Sequence, residues 1–230
     1  MYCDEMDLDK NLIICTKNPC HVTFVPLDTL CLEHLPEGHR DLNLLALIKV
    51  QADLTVKVNV KSISSHRPER WPKTEKGVSC RWQDSRGDGK IRKRVSVDDV
   101  SLERDWCILK CVTCDEILGE RLTASLNKFE ALTPKVLKYY RKSGLQEKLT
   151  FMISHPHGCP KKVSFGPTVD RYQVGLYRYT KLTYTTSSCP GSSGAAVCCI
   201  EGQGSDFVLR HVIHSGCLDR SLNVSGAGVM

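Results

Sequence analysis

Apolar and polar residues alternate with period two over much of this chain, and the alternation gives way once to a helical spacing. After Leu149 the segments LTFMIS, KKVSFG, TKLTYTT, GAAVCCI, FVLRHVIHSG and SGAGVM follow one another, parted by glycine, proline or serine clusters. Short apolar runs with turns at close intervals predict an antiparallel β-barrel. Further upstream, Leu54, Val56, Val58 and Val60 alternate within LNLLALIKVQADLTVKVNVKSIS and predict a half-buried strand. Val78 to Trp82, VSVDDV and DWCILKC predict three more, and the polar, proline- and glycine-broken stretch from Ser65 to Gly89 predicts mostly loops.

Between Asp115 and Lys148 the period changes. Leu122, Leu126 and Phe129 recur at three- and four-residue steps, and Thr133-Pro134 has the form of an N-cap followed by proline at the first helical position. Two consecutive short helices, or one kinked helix, are expected there. The first forty residues, broken by Pro26, Pro36 and Gly38, predict an extended or loosely packed arm.

Composition narrows the class. The chain has 230 residues, 41% hydrophobic and 25% charged, which is an ordinary globular balance and enough length to bury a core. No run approaches the roughly 18 apolar residues of a membrane helix, and MYCDEMDLDK has no apolar signal-like core, so a cytoplasmic or nuclear location without membrane contact is expected. Thirteen cysteines, an odd number, are then expected mainly as buried small hydrophobes rather than disulfides. The net charge of +6 is mild, and KIRKR and PKVLKYYRK are expected to be solvated basic faces rather than a nucleic-acid site.

The candidate chemistry lies in CPGSSGAAV, residues 189 to 197. Gly191 and Gly194 flank Ser193, and glycine lets a backbone turn sharply with no side chain in a substrate's way. The N–H groups of Gly191 and Ser193 are the natural donors to an oxyanion at that bend. A glycine–serine turn is common, so the surroundings matter. An apolar strand follows at Ala195 to Ile200, a second ends in VIHSG, Asp105 leads into the apolar WCILKC, and SHPHGCPK leaves another strand.

Together these motifs resemble trypsin-like serine proteases of the chymotrypsin double-barrel fold, in particular intracellular ones such as the HtrA group and the "family with sequence similarity 111" proteases. The resemblance covers about Ser96 to the C-terminus. It implies Asp105 as the triad aspartate, Ser193 as nucleophile, Gly191 and Ser193 as oxyanion hole, and HSG (His214, Ser215, Gly216) as the strand that pairs with substrate beside the specificity pocket. The fold it implies is mainly β: an N-terminal extension (1–41), a first, partial barrel (42–115), a helical connector (116–148) and a second barrel (149–230). No cofactor is implied, and the partner is a polypeptide substrate or peptide ligand.

The base is the weak member. The family's histidine precedes the aspartate in a T-A-x-H type motif, and none occurs here. His66, in SISSHRPERWP, is the candidate at a compatible interval; two small residues precede it, but Arg67 and Pro68 follow where an apolar helical turn belongs. His34 and His39 are poorer candidates. With no working base the chain would be an inactive pseudoprotease that binds peptides or proteins, the alternative to a serine endopeptidase.

Specificity stays open between two pockets. The pocket base falls near Ser187, and no acidic residue lies between Lys181 and Ile200, which argues against a Lys or Arg preference. His214 with Thr185 and Thr186 resembles sites in glutamyl endopeptidases and picornaviral main proteases that receive Glu or Gln, whereas a bulky apolar preference is the competing expectation. A zinc site from Cys107, Cys111, Cys114, His155, His157 and Cys159 is a lesser alternative, and no metal is expected. Cys198 and Cys199, adjacent on one strand, point to opposite faces.

Overall fold

A computed structural model describes residues 15, 18, 22–55, 59–60, 78–83, 90–101, 106–111, 116–145, 148–174, 179–218, 222–226 and 228–229. Antiparallel strands dominate. β1 (Val25–Pro26) is followed by α1 (Leu42–Leu54), then β2 (Asn59–Val60), β3 (Val78–Gln83), β4 (Lys90–Ser101) and β5 (Trp106–Cys111), a four-stranded antiparallel sheet in chain order. After α2 (Glu116–Ser143) come β6 (Leu149–Ser154), β7 (Lys162–Gly166), β8 (Thr168–Val174), β9 (Tyr179–Tyr184), β10 (Ala196–Glu201), β11 (Val208–Cys217), β12 (Asn223–Ser225) and β13 (Gly228–Val229).

The later strands form a closed circuit. β6 pairs with β7, which runs through a bend at Gly166-Pro167 into β8; β8 pairs with β9, β9 with β12, β12 with β11, β11 with β10, and β10 returns to β6. Between β7 and β8 the circuit is completed by the chain itself, and β8 pairs on one side alone, with β9. The bend needs glycine, because a Cβ at Gly166 would stand 2.8 Å from the Thr186 nitrogen.

Period-two alternation puts successive side chains on opposite faces, and both faces are buried here. Met152, Leu182, Tyr184, Val197 and Cys199 pack together on one face, while Phe151, Ile153, Cys198 and Ile200 join the helices on the other. Cys198 and Cys199 therefore belong to different cores, as the alternation requires. Cys15, Cys159, Cys189, Cys198 and Cys199 are buried as thiols.

Three expectations are corrected. The segment opening at Leu42 is a helix rather than a strand through Leu54: Leu44, Leu47, Ile48, Gln51 and Ala52 are its buried positions, a three/four spacing that outweighs the period-two run beginning at Leu54. Asp41 caps it, its carboxylate accepting the Leu44 N–H at 2.9 Å, and the buried Lys161 ammonium donates to Ala52 O at 2.5 Å, where a cation meets the negative end of the helix dipole. Of the two alternatives for residues 116–143 the single helix holds, with Pro134 inside it, and the expected N-cap is what is corrected: the Thr133 hydroxyl, instead of capping a second helix, donates back to Phe129 O at 2.9 Å. The arm is also tightly held from Phe24 onward. Leu30 and Leu35 are buried in the core, and His39, buried, pairs its Nδ1 with the Tyr140 hydroxyl at 2.7 Å. That makes His39 a core hydrogen-bonding residue rather than a base.

Phe151 is wholly buried where α1 and α2 meet the sheet. Phe151→Ala is expected to cost about 3–5 kcal/mol of stability through lost transfer energy and a cavity, read as a lower urea midpoint with unchanged slope.

Candidate functional site

The turn between β9 and β10 is fixed by its own backbone. Ser192 N–H donates to Cys189 O at 2.9 Å and Ala195 N–H to Ser192 O at 3.0 Å, while Gly191 and Gly194 take positive φ values of 90° and 80°. Those angles are in the left-handed region, where glycine alone escapes steric cost. Two further bonds tie the turn to β11: Gly194 N–H to His214 O at 2.8 Å and His214 N–H to Ala195 O at 2.9 Å.

The two adjacent serines have different fates. Ser192 is fully buried, and its Oγ accepts the Cys189 N–H at 3.2 Å, which makes it a structural brace. Ser193 is exposed. The N–H groups of Gly191 and Ser193 make no hydrogen bond to another described residue, although those of Ser192, Gly194 and Ala195 are all committed. The bend thus leaves two backbone N–H donors without an acceptor among the described residues, beside an exposed serine.

The loop after β6 presses on this bend. Pro156–Gly158 makes a single 3-10 turn, His157 N–H donates to Pro190 O at 2.7 Å, and a Cβ on Gly191 would lie 2.8 Å from His155 O. His155 Nδ1 meets Cys159 O at 2.9 Å. Burial holds the His157 imidazole below its usual pKa.

The expected pocket residues gather on the β9 and β11 side. Thr186 is buried and its Oγ1 has no hydrogen-bond partner among the described residues, while its carbonyl receives the Asn223 carboxamide. Ser187 is half-buried, with its hydroxyl 2.5 Å from that of Thr23 and its carbonyl accepting from Ser164 Oγ at 2.8 Å. His214 is buried, with its Nδ1 2.8 Å from the Tyr184 hydroxyl. Desolvation pushes the Tyr184 phenol well above its ordinary pKa, so it keeps its proton. Ser215 and Gly216, both half-buried, follow on β11, whose register against β12 slips between His214 and Gly216; such a bulge re-aims side chains next to a site. Thr185 is exposed.

Two participants escaped the sequence pattern. Asn223 stands out in sequence only as an N-glycosylation sequon, yet it is buried on β12, accepting the Ser188 hydroxyl at 2.5 Å and holding the Thr186 carbonyl. Tyr184 lies 30 residues from His214 with no local motif linking them. Asp105 and His66 lie outside the described residues, as does Cys114, while Cys107 and Cys111 fall on β5.

No protein-family model matches the sequence, and no curated protein matches it. Among the described residues, no helix is long and apolar enough to cross a membrane.

Proposed function

We propose that the chain is a trypsin-like serine endopeptidase. The observation that carries this reading is the bend at residues 189–195, which exposes Ser193 while leaving the Gly191 and Ser193 N–H groups unused. In the proposed mechanism Ser193 Oγ attacks the peptide carbonyl, His66 removes the hydroxyl proton and returns it to the leaving amine, and Asp105 orients the imidazole and stabilises its charged form. The two N–H groups receive the negative oxygen of the tetrahedral intermediate. In this reading the closed circuit of β6 to β12 is the second of two chymotrypsin-like barrels, and β2–β5 belong to an incomplete first one. Buried Cys15, Cys198 and Cys199, present as thiols, fit a reducing compartment, the cytoplasm or nucleus.

For specificity, the reading places Glu or Gln in the pocket. His214 held by a protonated Tyr184, with the unpartnered Thr186 hydroxyl nearby in sequence to the pocket wall, offers polar groups suited to a carboxylate or amide, and an apolar side chain would leave them unsatisfied. The second reading, an inactive peptide-binding pseudoprotease, is favoured by the absence of a T-A-x-H motif around His66.

A panel of fluorogenic peptides differing only before the scissile bond separates these readings. The expected result is hydrolysis favouring Gln or Glu over Lys and Leu, abolished in His66→Ala. Cleavage that survives His66→Ala unchanged removes His66 as base, and binding without cleavage of any peptide supports the pseudoprotease.

A further inference from the structure

We infer that Cys15, His157 and Cys189 form a binding site for a zinc ion that staples the N-terminal arm to the bend carrying Ser193. One donor atom from each residue lies within 4.8 Å of the others, and all three side chains are buried or half-buried. The two sulfurs are 3.6 Å apart. Zinc–sulfur bonds of about 2.3 Å at a tetrahedral angle put two thiolates about 3.8 Å apart, so the pair is already spaced for a shared ion. A disulfide needs the sulfurs about 2.05 Å apart, well inside their present separation.

The chemistry of the set selects the metal. Two thiols and an imidazole suit zinc, whereas calcium and magnesium demand oxygen ligands. Each sulfur is met by a donor. Asn18 Nδ2 donates to Cys189 Sγ at 3.1 Å while also holding Ser188 O at 2.8 Å, and Asn18 N–H donates to Cys15 Sγ at 3.4 Å, so each sulfur accepts a hydrogen bond from one residue. Such outer contacts orient ligands and stabilise the charge a metal–thiolate bond requires. Phe24 packs against both cysteines on the apolar side.

The third ligand is aimed by an unusual backbone. His157 is the non-glycine residue with positive φ, 50°, among the described residues. Its N–H is anchored on Pro190 O at 2.7 Å, immediately after Cys189, which keeps its ring beside the two sulfurs. Three ligands from segments as far apart as 174 residues leave one tetrahedral corner for water or another donor. The ion touches neither Ser193 nor a substrate. Its effect is to hold Cys189 and Pro190, and with them the start of the bend, so the inference stands whether or not Ser193 is a nucleophile.

The test uses the full chain freed of metal by a chelator and titrated with cobalt(II) alone, then with zinc alone. Expected is about one ion per chain with an intense thiolate-to-cobalt band, displaced by zinc. Cys15→Ser or Cys189→Ser abolishes it, Cys217→Ser leaves it intact, and Asn18→Ala weakens cobalt binding by roughly 10–100-fold. Variants that fail to fold are bypassed by alkylating the wild-type protein: Cys15 and Cys189 react slowly with zinc present and quickly after chelation, while the exposed Cys217 reacts equally in both. No thiolate band, a band untouched by both cysteine substitutions, alkylation indifferent to chelation, or a Cys15–Cys189 disulfide in protein freshly isolated with its thiols trapped by alkylation would each overturn the site.

Discussion

Ser193→Ala is expected to lower peptide hydrolysis by about 10⁶-fold in turnover, the loss seen when a serine nucleophile is removed from a working triad, with folding and peptide binding unchanged. The side chain is exposed and none of the described residues depends on its hydroxyl, so nothing structural goes with it. The neighbouring position makes the contrast. Ser192→Ala strips the Cys189 N–H of its acceptor in a fully buried place, and a stranded buried donor costs about 1–3 kcal/mol. The pair therefore separates activity from stability: Ser193→Ala leaves the melting temperature alone, and Ser192→Ala lowers it. A catalytic loss at Ser192 with none at Ser193 would place the nucleophile wrongly.

Gly191→Ala should produce the second-largest effect, for two separate reasons. A side chain at φ 90° is strained, and its Cβ would stand 2.8 Å from His155 O and 3.2 Å from His157 N, both backbone atoms that yield only if the 155–158 turn moves. Either relief swings the Gly191 N–H away from the oxyanion position. Removing one such donor costs about 10²–10³ in turnover, and the strain about 1–3 kcal/mol. Gly194→Ala is the internal control: it shares the positive φ of 80° but would meet no atom within 4 Å, so it keeps the strain without the collision. Turnover and melting temperature measured on both variants decide the matter. Equal activity in Gly191→Ala and wild type would mean that this N–H takes no part.

The later strands were legible because their faces differ so sharply. Leu149 to Ser154 and Ala196 to Glu201 are short apolar runs that physics allows only in a sheet buried on both sides, and punctuation by Gly166, Pro167, Gly191 and Gly202 marks their ends. β8 escaped because Val169 and Tyr172 are exposed, so Thr168 to Val174 carries no apolar stripe to detect. α1 was hidden by a neighbour: the valines at 56, 58 and 60 extend backward to Leu54 as one alternating run, although Leu44 to Ala52 already fills a helical face. Pro134 looked like a helix start, but a helix can carry proline internally when packing of Val136 and Tyr140 into the core shared with α1 compensates the lost hydrogen bond.

At the site, sequence marked the Ser193 bend and the strand carrying His214, since glycine spacing is a local signal. It could not choose between Ser192 and Ser193 by burial, nor supply Tyr184, Asn223 or Cys15, which reach the bend across 30 to 174 residues of chain. Those partners are set by strand pairing and by the arm, and nothing near them in sequence records where they arrive.

If Ser193 is a nucleophile as proposed, the backbone around it is shaped in advance to receive a tetrahedral anion. Incubating the folded protein at neutral pH with a fluorophosphonate, whose trapped adduct places a negative oxygen in that hollow, tests this most directly. The expected result is one adduct per chain, mapped by mass spectrometry to Ser193, absent in Ser193→Ala and strongly slowed in Gly191→Ala. An unlabelled wild-type protein, or an adduct on another serine, would contradict it.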